Sequence, residues 1–332
     1  MKIKNPKILV TVGPSSMNRK FLKFCINNIS LLRLNMSHIK ISNLQSIINF
    51  IKKYNKVTPI CIDTEGAQLR TKIKKKIFMK KNDIFYLYKS LKKNSLYPEE
   101  SFYLFKKNDV LLIGFENLSA QVIKVFNDRI LLKTLTSGFL EGNKGVHLKN
   151  RKLNLSFLTK KDIQAISIAK KNKISNFALS FTNSVNDVKK FKKILKTENK
   201  IYKLETLSAI KDLKNILNEG DQFLIDRGDL SKEVEIKKIP LFQRIILEKA
   251  KKFKNKKKIF IATNLLESMV NNAYPTRAEA NDIFNCLELG AAGLVLAAET
   301  AIGKYPIDSI IFLKGIIKEY KKFINVKKNI SK

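Results

Sequence analysis

"IYKLETLSAI", residues 201–210, joins a short β-rich run to a helix-like stretch and puts Lys203 and Glu205 two positions apart where the run ends. In a strand, residues i and i+2 share a face, so this stretch points an ammonium and a carboxylate in the same direction. Alone, the pair reads equally well as a structural ion pair. The recurrence of the arrangement decides the fold. Short apolar runs at 7–12, 31–35, 59–63, 176–181, 201–205, 222–226, 258–263 and 293–298 alternate with segments of helical period. In 40–53, for example, Leu44, Ile47, Ile48 and Ile51 fall on one helical face, as do Ile310, Leu313, Ile317, Tyr320 and Ile324 near the end of the chain. Eight strands, each followed by a helix, predict an α/β chain folded as a (β/α)8 barrel of the TIM type.

Barrel strands are buried on both faces, so charge at their C-terminal ends is either paired and buried or exposed in the mouth where barrel active sites sit. Arg33, Asn35 and Ser37 follow the second strand, Asp63 and Thr64 the third, and Lys203 and Glu205 the fifth. Asp229 follows the sixth, Thr263 the seventh and Glu299 the eighth. Polar ends on six of eight strands predict a functional site rather than one isolated ion pair.

The interval 70–150 breaks the rhythm and has no long helical period. Within it, "AQVIKVFNDRILLKTL" (120–135) reads as two strands joined through Asn127 and Asp128. The expected organisation is therefore a barrel in two parts, 1–69 and 151–332, with a small β-barrel lid domain of residues 70–150 inserted after the third strand.

A chain of 332 residues with 44% apolar residues can bury a large core, and its net charge of +37 would ordinarily suggest nucleic acid or an anionic membrane as partner. The distribution argues otherwise. Of 65 basic residues only eight are arginine, and the lysines are scattered among Asn and Ile instead of forming one patch. No nucleic-acid or membrane partner is expected; the longest apolar stretch, 289–298, is half a membrane span. The three cysteines, Cys25, Cys61 and Cys286, lack metal-ligand spacing, and their odd number argues against a disulfide framework. A reducing, cytoplasmic setting is expected.

The strand ends form a coherent chemical set. Glu205 and Asp229 are hard oxygen ligands suited to Mg2+. Lys203 and Arg33 offer fixed positive charge to a phosphoryl group in transfer. The turn "DRGDL" (226–230) presents backbone N–H groups around Gly228 to a carboxylate or phosphate. Metal-assisted phosphoryl transfer fits this set. An Mg2+-dependent barrel lyase or aldolase acting on a phosphoenolpyruvate-like or 2-oxo acid, and a catalytically impaired remnant, are the alternatives.

The ordered motifs "VTVGPSS", "LLRLNMSH", "IDTEGAQLRT", "KGVHL", "KLET", "DRGDL", "ATNLLESM", "YPTRAEANDI" and "AAETAIGKYP" span residues 7 to about 325 and resemble the motif series of pyruvate kinase. The resemblance implies phosphoryl transfer from phosphoenolpyruvate to ADP, giving pyruvate and ATP, with Mg2+ and K+ as cofactors. It implies that Glu205 and Asp229 hold Mg2+, that Lys203 stabilises the transferring phosphoryl group and that Arg33 contacts the phosphate. It implies further that Thr263 takes part in protonating the enolate and that the N–H groups of Arg227, Gly228 and Asp229 receive the substrate carboxylate. Asn35, Ser37, Asp63 and Thr64 match the family's K+ ligands, and Pro14, His38 and Arg70 its nucleotide side.

The chain also departs from the family pattern. Glu65 replaces a lysine, Ala67 and Gln68 replace Pro-Glu, Ala297 and Ala298 open the motif written "SGET" in the family, and "IGF" at 113–115 replaces an acidic lid motif. Because the sequence stops after the eighth barrel helix, the resemblance implies that the family's C-terminal effector domain is absent, and a homodimer or monomer is expected.

Overall fold

The computed structural model describes residues 5–66, 68–90, 93–114, 118–142, 144–149, 151, 153 and 155–330; Ala67 and Phe115, two of the departures above, lie outside the described residues. The chain divides into two compact units, Met1–Gly66 with Lys160–Lys332, and Ala67–Thr159.

The first unit opens with β1 (Lys7–Thr11), α1 (Arg19–Cys25), β2 (Leu31–Asn35), α2 (Ile41–Tyr54) and β3 (Ile60–Asp63). The second unit holds β4 (Arg70–Lys72), β5 (Ile77–Met79), β6 (Ile84–Tyr88), β7 (Ser95–Tyr97), β8 (Val110–Ile113), β9 (Leu118–Val125), β10 (Arg129–Thr134), β11 (Gly138–Leu140) and β12 (Val146–Leu148). The first unit then resumes with α3 (Lys160–Lys171), β13 (Asn176–Leu179), α4 (Val185–Ile194), β14 (Asn199–Leu204), α5 (Leu207–Lys211), α6 (Leu213–Glu219) and β15 (Gln222–Asp226). It ends with α7 (Arg227–Leu230), α8 (Ile239–Lys251), β16 (Lys258–Ala262), α9 (Arg277–Glu288), β17 (Gly293–Leu296), α10 (Ala298–Ala301) and α11 (Pro306–Ile330).

Among the described residues of the first unit, eight strands close into a barrel in the order β1-β17-β16-β15-β14-β13-β3-β2. All neighbours pair in parallel. The fold is the (β/α)8 barrel the alternating pattern predicts.

The barrel interior explains where the polar strand ends go. Leu9, Leu31, Cys61, Ala178, Ile201, Leu224, Phe260, Ala262 and Val295 form one buried apolar cluster. Strand side chains alternate, so the residue two places further along lies on the same inward face. That step leads from Leu31 to Arg33, from Cys61 to Asp63, from Ile201 to Lys203 and from Leu224 to Asp226, all of them buried. The charged layer therefore stands on the apolar one because of strand period alone.

Helix starts are set locally. Thr206 caps α5, and Ser184 and Thr276 open α4 and α9 as capping boxes closed by Asp187 and Glu279. No helix among the described residues is long and apolar enough to cross a membrane.

In the second unit, a sheet of order β12-β8-β9-β10-β6-β7-β4 packs over Leu87, Leu111, Val122, Ile130 and Leu132, and β5 pairs with β11. β9 and β10 run antiparallel on either side of Asn127 and Asp128. The edge strands meet: the Thr71 N–H donates to the Lys144 carbonyl at 2.9 Å and the Val146 N–H to the Leu69 carbonyl at 2.8 Å. Joining the edges satisfies backbone groups that an open sheet would leave unpaired.

Candidate active site

Five charged side chains from four barrel strands meet at the C-terminal ends, and each is at most 5% exposed: Arg33, Asp63, Lys203, Glu205 and Asp226. Lys203 is central. Its Nζ lies 2.7 Å from Glu205 Oε1, 3.4 Å from Asp63 Oδ2 and 3.5 Å from Asp226 Oδ2, and donates to Ser180 Oγ at 3.1 Å. Arg33 donates from Nε to Asp63 Oδ2 at 2.7 Å and from Nη1 to Thr11 Oγ1 at 2.9 Å. Glu205 Oε2 accepts from the Phe181 N–H at 2.7 Å.

Burial acts to lower the pKa of Lys203, but Asp63, Glu205 and Asp226 outweigh it and hold the ammonium above the ordinary lysine range. Arg33 is likewise opposed by burial and held charged, chiefly by Asp63 and Asp226. Glu205 goes the other way. Burial, with repulsion from Asp229 and Asp226, outweighs the pull of Lys203 and pushes its carboxyl up to about 8.

The next shell comes from turns. Asp229 sits in the short α7 turn, three residues beyond Asp226, and pairs with Lys232. Thr263 follows β16 with φ at +68°, a left-handed conformation costly for a β-branched residue. This places Oγ1 2.8 Å from the Gly228 amide nitrogen, which donates to it, and 3.2 Å from Asp226 Oδ1. The Asp229 N–H points to Asp226 Oδ1 at 3.3 Å. Arg227 turns away to the carbonyls of Thr263 and Asn264 and to Asp282.

Carboxylate oxygens of Glu205, Asp226 and Asp229 lie within 4.8 Å of one another. Hard, anionic oxygens at that spacing fit a divalent cation such as Mg2+, which takes carboxylates and keeps waters.

A sequence model described as "Pyruvate kinase, barrel domain" matches residues 3–310. The chain is 31% identical over 341 residues to a pyruvate kinase of Thermotoga maritima, covering 96% of this chain and 72% of the relative. A pyruvate kinase of Methanocaldococcus jannaschii is 33% identical over 324 residues, covering 95% and 69%. One from Buchnera aphidicola subsp. Schizaphis graminum is 31% identical over 352 residues, covering 100% and 72%. The chain belongs to the pyruvate kinase family. It is an enzyme of the phosphotransferase class, and the family's general reaction is phosphoryl transfer from phosphoenolpyruvate to ADP.

Against the pyruvate kinase motifs, the barrel brings Arg33, Asp63, Lys203 and Glu205 into one cluster, and Gly228, Asp229 and Thr263 into the adjoining turns. Asn35 and Asp63 are register partners across β2 and β3. Asn35 Oδ1 accepts from the Ser37 N–H at 3.0 Å, and Thr64 Oγ1 from the Ser180 N–H at 3.0 Å. His38 is exposed, and exposed Pro14 adjoins a cavity of about 450 Å³ lined in part by Ser15, Asn18, Lys20 and Lys304. Arg70 belongs to the second unit, on β4.

Glu299 has a different job from the other strand ends. It accepts from the N–H groups of Leu266 and Ala297 at 3.0 and 2.7 Å, tying down the loop after β16.

Three residues escaped the sequence reading. Asp226 is the inward carboxylate that ends β15; the i+2 step from Leu224 would have found it. Ser180 bridges Lys203 and Asp63. Asp162, at the start of α3, accepts from the N–H groups of Glu65 and Gly66 at 2.6 and 3.1 Å, holding the loop after Thr64. No local motif marks the last two.

Proposed function

We propose that this chain catalyses Mg2+-dependent transfer of the phosphoryl group of phosphoenolpyruvate to ADP, with K+ as monovalent activator. The observation that carries the reading is the buried strand-end cluster, in which Lys203 stays charged beside Asp63, Glu205 and Asp226, with carboxylate oxygens of Glu205 and Asp229 within 4.8 Å of each other. Phosphoryl transfer needs mainly positioning and compensation of charge, and a desolvated ammonium and guanidinium supply both at little reorganisation cost. Lys203 is the group for the phosphoryl in flight and Arg33 for its oxygens. Glu205 and Asp229 would hold Mg2+, which would supply positive charge to offset that of the substrate.

The N–H groups of the α7 turn are the receptors for the substrate carboxylate; those of Gly228 and Asp229 now point to Thr263 and Asp226 and would exchange these acceptors for it. The Thr263 hydroxyl, beside that turn, is the group to pass a proton to the enolate through water. Asn35, Ser37, Asp63 and Thr64 supply the oxygens for K+. Pro14, His38 and Arg70 serve the nucleotide.

The test is a coupled assay for pyruvate formed from phosphoenolpyruvate, with ADP, Mg2+ and K+ omitted in turn. Pyruvate should appear in step with ATP and stop when ADP or Mg2+ is withheld. Turnover of phosphoenolpyruvate without ADP would overturn the reading in favour of a lyase, and no turnover at all in favour of an impaired remnant.

A further inference from the structure

We infer that Asp226 is a third carboxylate ligand of the divalent-cation site, binding the ion alongside Glu205 and Asp229. This rests on the metal reading just proposed and extends it to a residue that reading does not use. Asp226 is 4% exposed and ends β15 on the inward face. Its carboxylate oxygens lie within the same 4.8 Å set as those of Glu205 and Asp229.

Asp226 differs from its neighbours in how poorly it is partnered. Asp63 accepts from Arg33 at 2.7 Å, Glu205 from the Phe181 N–H at 2.7 Å, and Asp162 from the Glu65 N–H at 2.6 Å. Among the described residues, no polar contact of the Asp226 carboxylate is shorter than 3.2 Å: Thr263 Oγ1 is at 3.2 Å, the Asp229 N–H at 3.3 Å and Lys203 Nζ at 3.5 Å. The Thr263 hydroxyl has one proton, and the Ala262 carbonyl, at 2.5 Å, is its nearer acceptor. Lys203 is nearer to Glu205. A buried carboxylate this loosely held is costly unless a cation completes its shell. The two buried cations, Arg33 and Lys203, face three buried carboxylates, Asp63, Glu205 and Asp226, with Asp229 close by. With Glu205 and Asp226 both ionised, as metal ligands must be, the cluster is short of positive charge, which a divalent ion supplies.

Mn2+ is the probe, bound to the full chain without substrate and measured by the electron paramagnetic resonance of the free ion. Asp226→Asn and Asp226→Ala should each weaken Mn2+ by about tenfold or more, as loss of a charged ligand does. Water-proton relaxation should show more water on the bound ion in Asp226→Ala, because water takes the vacated position. A residue that only positions its neighbours would leave that hydration unchanged. Thermal unfolding without metal should be unaffected or improved by Asp226→Asn, while the Mn2+-induced rise in Tm shrinks.

Parent-like affinity and hydration in both Asp226 variants, with Glu205→Gln and Asp229→Asn impaired, would overturn the inference and leave the metal site standing. Parent-like affinity in Glu205→Gln and Asp229→Asn would overturn the metal site itself. If Asp226→Asn fails to fold, Asp226→Ala decides by the same two readouts.

Discussion

The Gly228 N–H donates to Thr263 Oγ1 at 2.8 Å, so one hydroxyl links the turn after β15 to the loop after β16. Thr263 reaches this position only through its positive φ of +68°. For a β-branched residue that conformation stores about 1–3 kcal/mol. Replacing Thr263 by Gly removes the strain together with the hydroxyl. Unfolding stability of Thr263→Gly should stay within about 1 kcal/mol of the parent, because strain relief offsets one lost hydrogen bond. Turnover should fall on the order of a hundredfold, and Thr263→Ser should retain most of it. Urea denaturation and the coupled assay check both; a Gly variant as active as the parent removes Thr263 from the chemistry.

Lys203→Met should cost both activity and stability. The ammonium compensates Glu205, Asp63 and Asp226 at distances of 2.7 to 3.5 Å, all buried. Taking one partner out of a buried charge cluster costs about 3–5 kcal/mol. Losing a preorganised charge stabiliser slows the chemical step on the order of a hundredfold or more. Mg2+ should restore part of the lost stability by entering the uncompensated carboxylates. Chemical unfolding with and without Mg2+ measures the first effect, and single-turnover rates the second. A variant with more than about a tenth of parent activity would contradict the role given to Lys203.

Strand period made most of this legible in the sequence. The run from Ile201 to Glu205 has an apolar residue at the inward position and two charges above it, and the same step produces Arg33 over Leu31 and Asp63 over Cys61. Asp226 obeys the same rule but was hidden by the adjacent "RGD", which draws the eye to Asp229. Glu299 looks like the others by position, yet it spends both oxygens on backbone N–H groups; a strand-end carboxylate does not announce whether it faces the mouth or a loop. Asp162 was beyond reach because its partner loop lies 97 residues away and an acid in a first helical turn is ordinary. The limits of the inserted unit, Ala67–Thr159, differ from the 70–150 read from the pattern, because nothing in the composition changes where its flanking segments begin.

The loop after Thr64 gives a prediction independent of the charged cluster. Gly66 has φ +73°, and a Cβ there would fall 2.8 Å from the Ser180 Cβ. Asp162 holds the amides of Glu65 and Gly66. Asp162→Ala leaves two buried N–H groups unpaired and should cost about 1–3 kcal/mol in urea unfolding. Gly66→Ala should destabilise through both the clash and the backbone. If either variant unfolds with the parent's midpoint, the loop is not held as described.

The K+ requirement proposed above gives a prediction at Gln68. In the family, K+-dependent members carry Glu at this position and K+-independent ones carry Lys, whose ammonium substitutes for the ion. Gln68 offers neither charge, and it is 4% exposed with neither amide atom hydrogen-bonded among the described residues. Asn35, Ser37, Asp63 and Thr64 are all present, so the oxygens proposed for K+ remain. Losing one nearby negative charge from a partly desolvated cation site weakens it by about 1 kcal/mol or more. Activity should therefore require K+ yet saturate at unusually high concentration. Initial rates against KCl, at ionic strength held constant with a bulky ammonium salt, measure this directly. Gln68→Glu should move half-saturation to lower K+, by roughly fivefold or more for the same 1 kcal/mol. Gln68→Lys should flatten the dependence by supplying a fixed cation. Full activity of the parent without K+ would show that Gln68 does not set the requirement, and a Gln68→Glu curve superimposed on the parent's would show that its charge is not felt at the site.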